Sequence, residues 1–325
     1  VEDYGKKQID ADFSGFGGMM KFMQMLMGGE AQEKGGKNKK IAVVYAVGVI
    51  TEGESGGGLF SETTLGGDTL AKAIRDADAN PKVVAIVLRI DSPGGSALAS
   101  DLVWREVVRA KKPIVASMGD VAASGGYYIA MGAKKIIAEQ GTLTGSIGVV
   151  GGKVALKGLF DKVGIKTESI SRGKLSGWES VDEPFTTAER EAWMKSMKDI
   201  YRQFTTKAAE GRKIELKHLQ DDLAGGRVYT GKMAVDNKLV DKLGTLDDAV
   251  AEAKSLAGLK ADEPIDRLEL PKPKTLFEML FGNSATEAKL PIPKELAEQF
   301  ARAETMRRLL SHPAVLVMPF EIQIK

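Results

Sequence analysis

Between residues 41 and 138 the chain alternates short apolar runs with amphipathic segments, and glycine-rich turns follow two of those runs. That alternation restricts the fold more than any other feature, because runs of this length suit strands and the segments between them suit helices. Ile41–Ile50 reads as a buried strand and 51–66 as a glycine-rich loop. Asp68 is placed to cap a helix through about Asp78, with Leu70, Ile74 and Ala77 at helical spacing. Val83–Ile90 is a second strand, followed by the turn Asp91-Ser92-Pro93-Gly94-Gly95, and Ser96 caps a helix reaching about Ala110. Pro113–Ser117 is a third strand, the small-residue turn Gly119–Gly126 leads into a short helix near Ser124–Met131, and Lys135–Ala138 is a fourth. Strands alternating with helices imply an α/β fold with a mostly parallel sheet covered on both faces. In such folds ligands sit beyond the carboxyl ends of strands, where both glycine-rich turns lie.

The rest of the chain has a different texture. Residues 1–40 read as a linker or N-terminal extension, with a Met-rich patch (Met19 to Met27) and a Gly/Lys-rich stretch. The patch fits a short helix touching lipid or an apolar substrate, and better one docked on a neighbouring domain. The main domain is expected over 41–258. In it Thr186 and Glu189 form a capping box for a helix carrying Trp193, Met197 and Tyr201 on one face, and a further helix spans about Ile214–Leu223. Residues 259–325 read as a C-terminal arm, with a proline-bearing extended stretch over 262–294, an amphipathic helix at Glu295–Leu310 and a terminal strand at Ala314–Ile324.

Composition excludes several chemistries. The 46 Lys and Arg against 44 Asp and Glu leave a net charge of +2, without the basic excess of a nucleic-acid binder. With no cysteine there is neither a thiolate nucleophile nor a thiolate metal site, and two histidines cannot supply a His-rich metal site. No metal or cofactor is expected. His218, on a charged helix, and His312, before Pro313, are assigned no chemistry. No apolar run approaches the roughly 18–20 residues that span a bilayer. Because the first residue is Val, the chain reads as a piece of a longer precursor, with any anchor upstream.

One segment draws the chemistry to itself. Met118-Gly119-Asp120-Val121-Ala122-Ala123-Ser124-Gly125-Gly126-Tyr127-Tyr128 sets Ser124 among small residues at a strand-to-helix junction. Small neighbours let a substrate backbone reach the hydroxyl, and a helix start offers unpaired N–H groups to an oxyanion. The Pro93-Gly94-Gly95 turn can aim amides into the same cleft. Each feature also fits an ordinary turn. Asp120 suits a solvent-facing turn as well as a polarising group, Tyr127 and Tyr128 suit a core as well as a pocket, and Trp178 suits a loop anchor as well as a cleft cover.

The ordered set Leu88-Arg89-Ile90-Asp91-Ser92-Pro93-Gly94-Gly95-Ser96, the Ser124 turn, Thr142-Leu143-Thr144-Gly145-Ser146-Ile147-Gly148-Val149, Gly226-Arg227-Val228-Tyr229-Thr230-Gly231 and Leu239-Val240-Asp241-Lys242-Leu243-Gly244 resembles the signal peptide peptidase A family of bacterial membrane-associated serine proteases. The resemblance covers about residues 41–255. It implies a crotonase/Clp-protease-like fold of repeated β-β-α units, with Ser124 as nucleophile and Gly94 or Gly95 together with Gly125 as oxyanion donors. It further implies a Ser-Lys dyad, apolar peptides such as cleaved signal peptides as substrate, and self-association into a ring. It places the protein at the inner membrane, facing the periplasmic or extracytoplasmic side.

An ordinary lysine, with a pKa near ~10.4, is only about 0.04% neutral at pH 7. A basic lysine must therefore be dehydrated, and lowering its pKa by roughly 3 units costs about 4 kcal/mol. Lys174, in Ile170-Ser171-Arg172-Gly173-Lys174-Leu175-Ser176-Gly177, is the candidate in this chain. An ungapped placement on the family pattern puts Ser176 at the base position instead. Long members of the family carry the Ser in a C-terminal half and the Lys in an N-terminal half, and this chain reads as such a C-terminal half. Two other readings stand beside the protease: an acyl-CoA-processing enzyme of the crotonase superfamily, and a non-catalytic half that needs a partner domain.

Overall fold

A computed structural model of the chain describes residues 38–56, 64–168, 170, 172–271 and 315–317. The Met-rich patch, most of the C-terminal arm, its amphipathic helix and His312 lie outside the described residues.

The apolar runs are strands, as their composition demands. β1 (Lys40–Val47), β4 (Val83–Ser92), β6 (Ile114–Ala123), β7 (Lys135–Ala138) and β10 (Lys242–Leu243) pair in parallel, and β11 (Asp266–Leu270) adds to the far side of β1. Their order across the sheet is β10-β7-β6-β4-β1-β11. Strand geometry sends successive side chains to opposite faces. Ile41, Val43, Ala85, Val87, Val115 and Ile137 accordingly meet Ala249, Val250 and Ala253 of one helix, while Ala42, Val44, Ile86, Leu88, Ala116 and Met118 enter the larger core on the other face. Every strand that is apolar on both sides is therefore buried on both sides, and the α/β architecture with a mostly parallel sheet follows.

Four expectations for the strands and the first helix shift in detail. Ile41–Ile50 is two strands, β1 and β2 (Val49–Thr51), broken at Gly48 with φ 97°. The third strand runs on through the residues read as a turn, to Ala123, because Val121–Ala123 pair with β8 (Leu143–Gly145). The first helix, α1 (Gly67–Ala79), begins two residues early, with Gly66 at its cap, so Asp68 stands in its first turn. Asp266–Leu270, read as part of the arm, is a strand of the main sheet, since its backbone pairs with β1 from Lys40↔Asp266 to Val44↔Leu270.

The helices complete the layers. α2 (Ala97–Arg109) starts at Ser96, whose side chain accepts the Ala99 N–H, and α3 (Gly125–Ala130) follows Ser124. The short α4 (Lys157–Lys162) buries none of its residues. α5 (Thr187–Arg212) opens on the expected Thr186/Glu189 capping box and buries Trp193 and Met197. The helix expected at Ile214–Leu223 is a single turn, α6 (Leu216–His218), continued by a π-helical turn over Leu219–Leu223. β9 (Val228–Thr230) pairs antiparallel with β8, and α7 (Gly231–Asp236) and α8 (Leu246–Leu256) follow. A second, smaller sheet has the order β12-β5-β2-β3, formed by β12 (Val315–Val317), β5 (Gly94–Ser96), β2 and β3 (Thr64–Gly66). Among the described residues no helix is long and apolar enough to cross a membrane.

A polar knot ties α2, α3 and α5 together. Tyr128 Oη donates to Asp101 at 2.8 Å, Lys207 pairs with Asp101 and lies 4.3 Å above the Trp104 ring, and Arg105 reaches Asp101 at 2.9 Å. Burial alone would raise the Asp101 pKa, but hydrogen bonds from Lys207 and Tyr128, with the charges of Lys207 and Arg105, hold it below the usual carboxylate range. A carboxyl depressed in the folded state contributes stability that is complete above its unfolded value and is lost as pH falls through the folded one. Lys207→Met should therefore cost about 2 kcal/mol at pH 7, less than the roughly 3–5 of a fully buried pair. The gap between variant and parent should narrow in urea titrations as pH falls below about 4; a gap independent of pH would show that the pair does not carry it.

Candidate active site

Two elements bring Ser124 and the glycine turn together. β6 and β4 are neighbours, and the register slips between Ile90 and Ser92, so the chain leaves β4 beside the end of β6. The Asp91–Ser96 turn then lies against the start of α3. The contact is tight: a Cβ on Gly125 would sit 3.1 Å from both Gly94 Cα and Gly95 N, and 2.6 Å from Ser100 Oγ. Only glycine lets the two backbones approach so closely.

Ser124 itself is strained. Its φ of 53° and ψ of −114° form a conformation that side-chain-bearing residues seldom take. The strain is held from both sides: its N–H donates to the Gly145 carbonyl at 2.9 Å, and its carbonyl accepts the Tyr128 N–H at 2.8 Å. Such a turn lifts a side chain out of the strand-helix junction toward a cleft. The hydroxyl is nonetheless only 1% exposed at the residue level, and among the described residues Ser124 Oγ is the buried side-chain polar atom that has no hydrogen-bond partner. A buried orphan hydroxyl costs about 1–3 kcal/mol, so its retention calls for a reason outside stability.

The neighbouring donors are not equivalent. The Gly94 N–H is directed to Ser92 Oγ at 3.2 Å, which removes it from the pool available to a ligand. Gly95 N faces Gly125 across the contact just described. Lys174 stands exposed in the turn that follows Gly173, and Ser176 Oγ donates to the Gly173 carbonyl at 2.8 Å. The described residues thus unite Ser124, Gly94, Gly95 and Gly125, while Lys174 makes no hydrogen bond to the Ser124 hydroxyl.

The other residues singled out have structural partners. Tyr127 Oη donates to the Leu239 carbonyl at 2.9 Å, and burial drives both Tyr127 and Tyr128 phenols well above their ordinary pKa. Trp178 packs edge-on against Trp193, with ring centroids 5.7 Å apart, and anchors its loop. Asp120 is exposed, and His218 is exposed beside Asp222 at 2.7 Å. No group of acidic or histidine side chains among the described residues could hold a metal.

Ser146, within the Thr142–Val149 segment, has no role legible from sequence. Ser146 is buried, has φ 49°, and directly follows the Gly145 that holds the Ser124 amide. It lines a cavity of about 480 Å³ with Val149, Val150, Met197, Tyr201 and Gly226. The signal lay in Gly145-Ser146, two residues with positive φ in a row; the partner that makes them matter, Arg227, whose carbonyl takes the Ser146 N–H, lies some 80 residues away.

The model of peptidase family S49 matches residues 106–260. The chain is 40% identical to "Serine protease SPPA, chloroplastic" of Arabidopsis thaliana, over 85% of this chain and 40% of that protein. It is 39% identical to "Protease 4" of Salmonella typhi, over 81% of this chain and 43% of that one. The chain therefore spans about two fifths of the length of these two relatives. Against "Putative protease slr0021" of Synechocystis sp. it is 36% identical over 72% of this chain and 81% of that protein.

Proposed function

The chain belongs to peptidase family S49, and on that premise we propose that it is the serine-bearing part of an endopeptidase that cleaves apolar peptides, cleaved signal peptides among them. The observation that carries the reading is Ser124: its backbone is strained and its hydroxyl buried and unpartnered, and the next residue, Gly125, leaves no room for a Cβ against Gly94 and Gly95.

Ser124 Oγ attacks the scissile carbonyl carbon, forming the Oγ–C bond while the carbonyl π electrons move onto oxygen. The amides of Gly125 and Gly95 donate to that oxyanion, each worth roughly 3–4 kcal/mol in comparable sites. A neutral lysine accepts the hydroxyl proton and returns it to the leaving amine as the C–N bond breaks. Water then releases the acyl group by the reverse sequence. The cavity beside Ser146, walled by Val149, Val150 and Met197, receives an apolar side chain of the substrate. The peptide itself lies extended along the glycine turn.

The base is a lysine outside the described residues, as in the tandem members where it comes from the other half. Two facts support this: Lys174 is solvent-exposed, where an ammonium stays hydrated, and the Arabidopsis and Salmonella relatives are more than twice the length this chain matches. Association with the inner membrane and self-association into a ring belong to the same reading.

A fluorophosphonate probe tests the nucleophile. Mass mapping should find its adduct on Ser124, slow in the chain alone and accelerated when the polypeptide carrying the lysine is supplied. An adduct on any other residue, or none under either condition, overturns the reading. Lys174→Met should leave the labelling rate within about twofold; its loss would make Lys174 the base.

A further inference from the structure

Ser92, the last residue of β4, is fully buried and touches both halves of the proposed oxyanion site. Its backbone pairs in register with Ala122, two residues before Ser124. Its carbonyl oxygen stands against the start of α3, where a Cβ on Gly126 would come within 2.5 Å of it. Its hydroxyl accepts the Gly94 N–H at 3.2 Å, inside the turn that carries Gly95. That turn needs a restraint. Gly94 and Gly95 have φ of 106° and 154°, and glycine has the widest choice of backbone conformations. A hydroxyl that accepts from the amide two residues on fixes a peptide plane that glycine alone leaves free. Gly94 is buried, so without that acceptor its N–H would be an unpaired donor and the turn would rotate to find another. Such a rotation would carry Gly95 N away from its place opposite Gly125.

We propose that Ser92 is a positioning residue of the peptidase reaction, whose hydroxyl holds the Gly94 amide and thereby aims the Gly95 amide at the oxyanion. It neither touches the substrate nor transfers a proton. The inference rests on the proposed function for the role of the Gly95 and Gly125 amides. It explains why a hydroxyl stands at a fully buried position, where an apolar side chain would pack without needing a partner. It also gives the Gly94 amide a task, since the donor that is spent on Ser92 is what fixes its neighbour. An oxyanion exists only after the Oγ–C bond has formed. Loss of the Ser92 hydroxyl should therefore weaken the tetrahedral adduct and leave the binding of an unreacted peptide as it was.

The test compares two ligands on the full chain by calorimetry, acetyl-leucyl-leucyl-leucinal and the matching alcohol, acetyl-leucyl-leucyl-leucinol. Ser124 Oγ adds to the aldehyde carbon and its proton passes to the former carbonyl oxygen, giving a hemiacetal whose oxygen lies among the amide donors. The alcohol occupies the same subsites without reacting. The parent should favour the aldehyde by about a hundredfold. Ser92→Ala should lower that preference by about tenfold while the affinity for the alcohol stays within about twofold. Ser92→Thr retains the acceptor and should keep the preference within about threefold of the parent's. An unchanged preference in Ser92→Ala overturns the proposal. So does an equal loss of affinity for both ligands, or a folded Ser92→Thr as defective as Ser92→Ala, because either result makes Ser92 a packing residue. Should Ser92→Ala lose the parent's circular dichroism, Ser92→Cys decides: its sulfur is a weak acceptor of similar shape, so the preference should still fall, and a parent-like preference refutes the role. A parent that binds the two ligands equally removes the nucleophile and this inference together, whereas a strong preference shared by parent and Ser92→Ala removes this inference alone.

Discussion

Ser124→Gly is expected to abolish fluorophosphonate labelling and at the same time stabilise the protein. Two costs disappear together. The strained backbone at φ 53° costs about 1–3 kcal/mol for a residue with a Cβ, and glycine takes such angles freely. The buried hydroxyl without a partner costs about 1–3 kcal/mol more, and it leaves with the side chain. Against these stands the greater freedom of an unfolded glycine, roughly 0.5–1 kcal/mol. A net gain of about 1–5 kcal/mol in urea unfolding should accompany complete loss of the adduct. Ser124→Ala separates the terms: it removes the hydroxyl but keeps the Cβ, so it should lose labelling equally and gain less stability. If Ser124→Gly proves less stable than the parent, the serine is a structural residue in a relaxed turn, and the case for a functional hydroxyl fails.

Gly95→Ala should do the reverse, losing stability and labelling together. A Cβ at Gly95 would stand 1.9 Å from the Ile50 carbonyl oxygen and 2.7 Å from its carbon and nitrogen, all backbone atoms of β2. No rotamer can relieve a clash with backbone, so β2 and β5 must separate, and the φ of 154° adds strain of its own. Overpacking of this kind costs about 3 kcal/mol or more. The displaced strand also carries an amide proposed to hold the oxyanion, so labelling should fall by about two orders of magnitude in any molecules that remain folded. Chemical denaturation measures the first effect and labelling kinetics the second. Parent-like stability would mean that the β2–β5 approach is not close, and with it the donor geometry would go.

The architecture was legible because burial imposes it locally. Val83–Ile90 and Lys135–Ala138 are apolar on both faces, and only a strand covered on both sides can satisfy such a run. The Thr186/Glu189 box was legible for a similar reason, since both partners of a helix cap lie within one turn. What escaped was what depends on a distant partner. Asp266–Leu270 alternates partly buried and exposed residues and is held in the sheet through β1, more than 200 residues away. The extension of β6 past Ser117 exists because Leu143–Gly145 pairs with it. The role of Ser146 depends on a carbonyl of Arg227.

The site divides along the same line. The residue order alone determined that Ser124 stands among small neighbours at a strand-to-helix junction and that glycines follow the preceding strand, because local backbone chemistry allows little else there. Only the tertiary structure decided which glycine amide is already engaged, that Lys174 is exposed and gives the Ser124 hydroxyl no hydrogen bond, and that Val315–Val317 lies on the edge of β5. Those facts rest on contacts between segments far apart in the chain, and such contacts are set by how the packed elements meet.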